Sequence, residues 1–226
     1  ADFIIVEDLD SFKVKATYIN GIQVSDGDKT LIESVDEIEI NQFDCNDISV
    51  ADIQARAESD QIHVIEALDG QLITNDVTLK AKVEMGNLVS DIEADILKIV
   101  VVNRYAPAPP AMAFVKNFGI KAGAIASSVA HDSHNIIAVG VDDQDIVNAV
   151  NCLIPTKGGI SLCNGNQEMV LGLPVGGLMT TNDGYETANL YDQMDQETKK
   201  LGSNLGAPYM TLSFLALLVI PKLKLS

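Results

Sequence analysis

The chain has 226 residues, of which 47% are hydrophobic, and carries a formal net charge of −17 at pH 7. Its length and apolar content suffice for one large packed domain or two smaller ones, and no apolar run approaches the roughly 20 residues that a membrane-spanning helix needs. The acidity disfavours nucleic acids and anionic membrane surfaces as partners, because both select for Lys and Arg.

The start of the chain and its cysteines bear on its origin and compartment. The sequence begins at Ala1, with no initiator Met and no basic-then-apolar signal segment, so we expect it to be part of a longer polypeptide. Cys45, Cys152 and Cys163 are too few and too scattered for a disulfide framework or a CxxC-type zinc site. This usage indicates a reducing compartment, and we expect a cytoplasmic protein.

Residues 1–30 have the pattern of a small β-sheet. Two β-rich runs cover 3–6 and 12–19, and Asn20-Gly21, the commonest two-residue hairpin turn, leads into a third run at 22–24. Three such short strands do not make a stable domain alone. This region is therefore predicted to be the end of a larger sheet.

A connector and a second domain follow. Residues 31–59 are polar, acidic and only weakly periodic, which predicts a connector with a short helix over 49–57. The rest of the chain, 60–226, is predicted to be an α+β domain, because strands and helices are interleaved without a strict βαβ rhythm. Its sheets are expected to be mixed or antiparallel, with helices packed against them.

Apolar and alternating runs predict the strands of this second domain. The run 96–102 is continuous enough for a central buried strand. The Pro-rich segment 106–110 is predicted to be a loop, and two helical turns are predicted over 111–118, before Gly119. The remaining strands are predicted at 62–65, 71–83, 123–126, 136–140, 159–163 and 168–173, the last two as a hairpin around Asn164-Gly165.

Two longer helices have recognisable N-termini. Asp142 can cap a helix whose apolar positions run from 146 to 154. Asp183 and Glu186 resemble a capping box, which predicts a second helix that ends at Gly202.

A polar segment at 127–135 concentrates the reactive side chains of the chain. Its two histidines, at the spacing His-x-x-His, can meet if the backbone is helical or tightly turned, and neutral imidazoles bind transition metals and move protons near neutral pH. A neighbouring carboxylate can orient an imidazole, and hydroxyls can hydrogen bond or act as nucleophiles. The candidates for supporting an active site are His131, Asp132 and His134, and those for contacting a substrate are Ser127, Ser128 and Asn135.

Several interpretations of this segment stay open. It could be a polar turn that satisfies buried backbone groups between core strands, part of a ligand site, or an independent metal centre, for which His-x-x-His alone is a weak signal. An independent hydrolase built on His131, Asp132 and Ser133 would require a serine and a histidine that are close in space. We assign no metal ligands.

Other polar or apolar segments have weaker functional interpretations. Arg104 follows the central strand and could pair with a carboxylate or a ligand, or form a structural salt bridge. His63 is predicted to be a partly buried sheet residue. The segment 172–177 resembles a phosphate loop only loosely, since no GK[ST] follows, and is predicted to be a turn. The apolar run from Met210 is predicted to be core rather than a partner-binding stripe.

Five segments carry a family resemblance: 101–105, 114–119, 124–135, 174–179 and 210–217. In this order they closely resemble the C-terminal region of bacterial adenine deaminases of the amidohydrolase superfamily. The resemblance extends over about residues 60–226. Residues 1 to about 24 are similar to the last strands of the small β-sandwich that accompanies amidohydrolase barrels.

The resemblance implies a parent enzyme that hydrolyses adenine to hypoxanthine and ammonia in purine salvage. In that family a (β/α)8 barrel uses Mn or Fe to activate the attacking water. The barrel's ligands, beginning with an HxH after its first strand, have no counterpart in this sequence. The resemblance therefore implies accessory regions that partner the barrel of the same enzyme, with no cofactor of their own and no activity in isolation.

Two functions are compatible with this resemblance. In the first, the loop 127–135 helps to support or close the active-site mouth of the barrel. In the second, the chain is a non-catalytic module that folds separately and mediates assembly or dimerisation. We also expect the parent enzyme to be a homo-oligomer.

Overall fold

The computed structural model describes residues 1–33 and 38–226. It divides the chain into two compact units, Ala1–Ile38 and Glu39–Ser226. The predicted connector, 31–59, includes residues 34–37, which lie outside the described residues.

The first unit is a three-stranded antiparallel sheet built on the predicted turn. Asn20 and Gly21 have φ values of 53° and 78°, the left-handed backbone that a two-residue hairpin turn requires. Within residues 1–33 the only buried hydrophobic residue is Ala16. The three strands pair in the order β1-β2-β3 and are β1 (Phe3–Val6), β2 (Val14–Ile19) and β3 (Ile22–Ser25).

The centre of the second unit is a mixed sheet of eight strands. The strands pair in the order β14-β13-β11-β12-β9-β10-β5-β6, and only the β10–β5 pair is parallel. A small antiparallel sheet has the order β4-β8-β7. The strands are β4 (Ala55–Arg56), β5 (Gln61–Ala67), β6 (Thr74–Lys80), β7 (Lys82–Glu84), β8 (Asn87–Val89), β9 (Ile96–Val102), β10 (Ala111–Lys116), β11 (Ala124–Ser127), β12 (Ile136–Gly140), β13 (Gly159–Asn164) and β14 (Gln167–Gly172).

Helices cover both faces of the large sheet. On one face, α1 (Asp143–Asn151) packs its apolar side against small and branched residues of the central strands, among them Val100 and Ala126. On the other face, α2 (Gly184–Lys200) and α3 (Pro208–Phe214) pack on Ile99 and its neighbours. Side chains alternate along a strand, so β9 contributes apolar side chains to the cores on both faces of the sheet. All seven of its residues are buried. In the described part of the chain, no helix is long and apolar enough to cross a bilayer.

The predicted α+β class with a mixed sheet is confirmed, and so are the caps of the two long helices. The Asp142 carboxylate accepts a hydrogen bond from the backbone N of Asp145, and Asp183 caps α2 in the same way. The predicted strand at 96–102, the loop at 106–110 and the hairpin around Asn164-Gly165 are present.

Four local predictions are wrong. The segment 111–118 is not helical but contains β10, because its backbone pairs with β9 on one side and β5 on the other. The helix predicted over 49–57 is one turn of 3₁₀ helix, Val50–Ile53. The strand predicted over 71–83 starts at Thr74 and is divided at Ala81. His63 is exposed rather than partly buried, and its Nδ1 lies 2.9 Å from Asp76 Oδ1.

A buried lysine ties the central strand to α1. Lys98, on β9, is 1% exposed, and its Nζ donates hydrogen bonds to Asp143 Oδ1 at 2.6 Å and to the Ile53 carbonyl at 3.0 Å. An ammonium removed from water is tolerated only when it is paired and hydrogen bonded. The Asp143 carboxylate therefore compensates most of the cost of burying this charge.

We expect Asp143→Ala to lower the free energy of unfolding by about 3 kcal/mol, because it leaves the Lys98 ammonium without its carboxylate. Lys98→Met should cost less, since it removes the buried charge and keeps the apolar volume. Asp195→Ala, which breaks the exposed ion pair with Lys199, is the control and should cost under about 1 kcal/mol. Urea unfolding of the three variants measures their losses in the free energy of unfolding. Equal losses for Asp143→Ala and Asp195→Ala would contradict the prediction.

Candidate functional site

Arg104 fixes the base of the loop 127–135. The residue follows β9, is 4% exposed, and uses all five N–H groups of its guanidinium as donors. Nε donates to the His134 carbonyl at 2.7 Å. The two terminal nitrogens donate to Asn41 Oδ1 at 2.7 Å, the Gln42 carbonyl at 3.1 Å, Tyr105 Oη at 2.9 Å and the Gly176 carbonyl at 2.7 Å.

All five acceptors of Arg104 are neutral oxygens, so the guanidinium forms no ion pair with a carboxylate of the described residues. The charge is also stabilised by the face of the Tyr105 ring, whose centre lies 4.4 Å from the guanidinium carbon. Tyr105 Oη donates in turn to the Ser133 carbonyl at 2.7 Å. These contacts make Arg104 an anchor for three segments that are distant in sequence.

The predicted substrate-contacting residues occupy different positions. Ser128 is buried; its Oγ donates to the Gly177 carbonyl at 2.6 Å and accepts from the Gly159 N–H at 2.7 Å. Asn135 Oδ1 accepts from the Arg104 backbone N at 3.3 Å. Ser127 lies at the end of β11 and reaches a cavity on the α2–α3 face of the sheet. Ser128 and Asn135 thus serve the loop's own geometry. Ser127 is also buried and its Oγ accepts a hydrogen bond from the Val129 backbone N at 3.0 Å, although the residue lines the cavity.

The two histidines are close together at the base of the loop. Their ring centres are 5.4 Å apart with an edge-to-face arrangement, and the His131 ring stacks on Phe214 of α3 with its centre 4.9 Å away. The His131 N–H donates to the Ser213 carbonyl at 3.1 Å, and the His134 N–H closes a tight turn onto the Ala130 carbonyl at 2.6 Å. The tight turn that the His-x-x-His spacing needs is therefore formed.

The tip of the loop differs from its base. The side chains of Asp132 and Ser133 are exposed, and in the described part of the chain no hydrogen bond joins either of them to His131. The arrangement lacks the nucleophile–base contact that an independent hydrolase at this position would need.

His134 has an electrostatically unfavourable environment for protonation. Its Nδ1 is buried without a hydrogen-bond partner among the described residues. Burial lowers the pKa of His134 below its usual value of 6.5, and His131 and the Arg104 guanidinium lower it further, while Asp132 acts in the opposite direction. The imidazole is neutral at neutral pH.

A largely apolar cavity of about 600 Å³ lies beside the loop, between the sheet and helices α2 and α3. Ser127 and His131 are on its wall, together with Tyr191, Tyr209 and Met210. Such a combination of apolar walls and a few convergent polar groups is typical of ligand sites. The helices that complete this cavity are distant in sequence from the loop, so the sequence pattern did not reveal it.

The side chains of the described residues do not form a site that fits the manganese or iron that the amidohydrolase resemblance implies. Among residues 1–33 and 38–226, three metal-ligating side chains converge within 4.8 Å only at Cys152, Cys163 and Glu168. Mn²⁺ prefers carboxylate and carbonyl oxygens, and non-haem iron prefers imidazole and carboxylate ligands. A pair of thiols favours softer ions. His131, Asp132 and His134 do not make such a three-ligand group.

The fold and the site define a mixed-sheet α+β domain that carries an anchored polar loop beside an apolar cavity. A sequence model of the family described as the adenine deaminase C-terminal domain matches residues 71–226. The chain belongs to this family.

Relatives named adenine deaminase match the whole chain. Those of Methanosarcina barkeri, Sulfurovum sp. and Salinibacter ruber are 49%, 50% and 45% identical to it over its full length. The chain covers 42%, 41% and 42% of their respective lengths. It therefore spans less than half of each of these proteins.

The contact between Gly177 and Arg104 can be tested with a matched pair of glycine variants. Gly176 and Gly177 both have positive φ, 64° and 73°, but a Cβ on Gly176 meets nothing within 4 Å, whereas one on Gly177 lies 3.1 Å from Arg104 Nη1. We expect Gly177→Ala to lose at least about 1 kcal/mol more stability than Gly176→Ala, because five hydrogen bonds hold the guanidinium in place. Equal losses in urea unfolding would show that Arg104 moves aside.

The lowered pKa of His134 predicts a pH dependence of stability. As the pH falls below about 6.5, the unfolded chain binds a proton at His134 before the folded chain does. The free energy of unfolding therefore decreases toward lower pH, and the contribution of neutral His134 is complete only above the unfolded-state pKa. His134→Asn should weaken this loss, and Asn tolerates the φ of 55° found there. The free energy of unfolding, measured at about pH 7.5 and pH 5, should fall less in the variant than in the wild type, with Ser133→Ala keeping the wild-type slope.

Proposed function

We propose that the protein to which this chain belongs hydrolyses adenine to hypoxanthine and ammonia in cytoplasmic purine metabolism, and that the chain supplies its accessory C-terminal domain. The observation that carries this proposal is 49% identity, over the whole chain, to a relative named adenine deaminase. The manganese or iron of the reaction belongs, in this proposal, to a separate barrel of the same enzyme, because no group of side chains among the described residues suits either ion.

The loop 127–135 supports or caps the active site of that barrel. The proposal rests on the contrast between its fixed base and its exposed tip. Arg104 and Tyr105 hold the carbonyls of His134 and Ser133, while the side chains of Asp132 and Ser133 point away from any hydrogen-bond partner in the described residues. A rigid base with a free tip is suited to contacting a surface outside this domain.

Ser127, Val129 and His131 are the residues of this region that also line the cavity. His131 stays in position because Phe214 stacks on its ring. In this proposal it is a positioning residue at the boundary between loop and cavity, whereas Ser128 and Asn135 act through the loop backbone.

The first unit supports the proposed partnership with a barrel enzyme. Phe3 and Ile5 are each 47% exposed and Ile22 is 69% exposed, although they lie in strands. Apolar side chains on a three-stranded sheet need a further layer to cover them. We propose residues 1–30 as the last strands of an amidohydrolase β-sandwich, residues 31–59 as the connector, and residues 60–226 as the C-terminal domain.

A second candidate function is assembly of a homo-oligomer without a role in catalysis. The observation that favours it is apolar exposure after α3, where Leu218 is 66% and Val219 75% exposed. Under this alternative, changes in the loop tip affect neither turnover nor adenine binding, and changes at Leu218 and Val219 shift the oligomeric state.

The capping role predicts that Asp132→Ala in the full-length enzyme lowers kcat/KM for adenine at least about tenfold, a change of about 1.4 kcal/mol, and leaves Tm unchanged. The reason is that the Asp132 carboxylate has no hydrogen bond to lose among residues 1–33 and 38–226. Glu93→Ala removes another exposed carboxylate and is the control. Turnover is followed by ammonia release.

Unchanged turnover in Asp132→Ala, with a full metal content in the barrel, would contradict the capping role and favour the assembly function. Ammonia release from adenine by the 226-residue chain alone would contradict the assignment of the reaction to a separate barrel.

A further inference from the structure

Two cysteines outside the loop 127–135 lie side by side on the α1 face of the sheet. Cys152 is the residue at the C-terminal end of α1, and Cys163 is a buried residue of β13. Their Sγ atoms are 3.8 Å apart, and neither forms a disulfide. The pair is thus a preformed dithiol between a helix end and a strand.

The β13–β14 hairpin adds a carboxylate to this pair. Cys163 and Glu168 are directly opposite each other in the antiparallel register of the hairpin, so their side chains lie on the same face of the sheet. The two sulfurs and a Glu168 carboxylate oxygen all lie within 4.8 Å of one another. Three potential ligands therefore converge from three different elements.

The spacing of the sulfurs fits one tetrahedral metal ion. Two thiolates bound to Zn²⁺ at about 2.3 Å with a tetrahedral angle have sulfurs about 3.8 Å apart, which is the distance observed here. A disulfide bond would require the sulfurs to approach to about 2.05 Å, which is not the spacing observed here.

The surroundings of the dithiol favour a cation. Glu168 and Asp145 are acidic neighbours that act electrostatically on the Cys163 thiol, and Glu168 acts on Cys152 as well. Burial raises the pKa of both thiols, so the ion would replace the two thiol protons on binding. Cys163 is buried, Cys152 is partly exposed and Glu168 is exposed, which leaves the ion a path from solvent.

We propose that Cys152, Cys163 and Glu168 form a binding site for Zn²⁺, with a water molecule as the fourth ligand. Two thiolates and one carboxylate select a thiophilic ion over Mn²⁺ or Mg²⁺. The bound ion joins the end of α1 to both strands of the hairpin, and it is separate from any metal that takes part in deamination. It adds a crosslink to the apolar packing and to the hydrogen bonds that already join α1 to the hairpin, among them the one from Ser161 Oγ to the Ala149 carbonyl at 2.6 Å.

Titration of the reduced 226-residue chain with Co²⁺, a spectroscopic substitute for Zn²⁺, tests the proposal. We expect one equivalent to produce thiolate-to-cobalt charge-transfer absorption that Zn²⁺ abolishes by displacement and Mg²⁺ does not. Cys152→Ala and Cys163→Ala should each abolish the band, and Glu168→Gln should weaken Zn²⁺ binding at least about tenfold. Cys45→Ala, at the third cysteine, should keep the band unchanged.

The proposal is overturned if the wild-type chain gives no charge-transfer band, if the band persists in Cys152→Ala, or if the chain under these reducing conditions contains a disulfide instead of two free thiols. Should Cys163→Ala fail to fold, Cys152→Ala and Glu168→Gln decide the result, because these side chains are not part of the fully buried core. Zn²⁺ should also raise the Tm of the wild type and of Cys45→Ala, but not that of Cys152→Ala.

Discussion

The hydrogen bonds of the Arg104 guanidinium constrain the candidate site more than any other interaction. A planar group with five donors in fixed directions can be buried only where five acceptors are already placed. The acceptors come from Asn41, Gln42, Tyr105, His134 and Gly176, so one side chain determines how three distant stretches of the chain meet. Because Arg104 itself is 4% exposed, leaving several of its N–H groups unpaired would cost more than any single contact contributes.

Two buried cations flank the central strand and are stabilised in different ways. Lys98, near the start of β9, has a carboxylate partner in Asp143 and connects the strand to α1. Arg104, just after the end of β9, has neutral oxygens and an aromatic face instead. The Lys98–Asp143 pair stabilises the core. The Arg104 contacts organise loops instead, because their carbonyl acceptors belong to the backbone and so determine its path directly.

Local signals in the sequence predicted the elements that local interactions determine. The caps at Asp142 and Asp183 and the turn at Asn164-Gly165 depend on neighbouring residues and were found. The segment 111–118 resembles a helix in sequence, because its six apolar or small residues do not distinguish a strand from a helix without their pairing partners. The 3.8 Å contact of Cys152 with Cys163 and the acceptors of Arg104 were not predictable, since each depends on the packing of separate elements.

Electrostatics distinguishes the His-x-x-His turn from the Cys152–Cys163 pair as environments for a cation. At the His-x-x-His turn, the permanently charged Arg104 lies close enough to His134 to lower its pKa, and the same positive charge opposes a divalent cation there. At Cys152 and Cys163 the charged neighbours are carboxylates, which attract a cation and supply a ligand. The histidine motif that is conspicuous in the sequence is therefore the weaker metal site, and the stronger one is formed by residues whose proximity only the folded sheet creates.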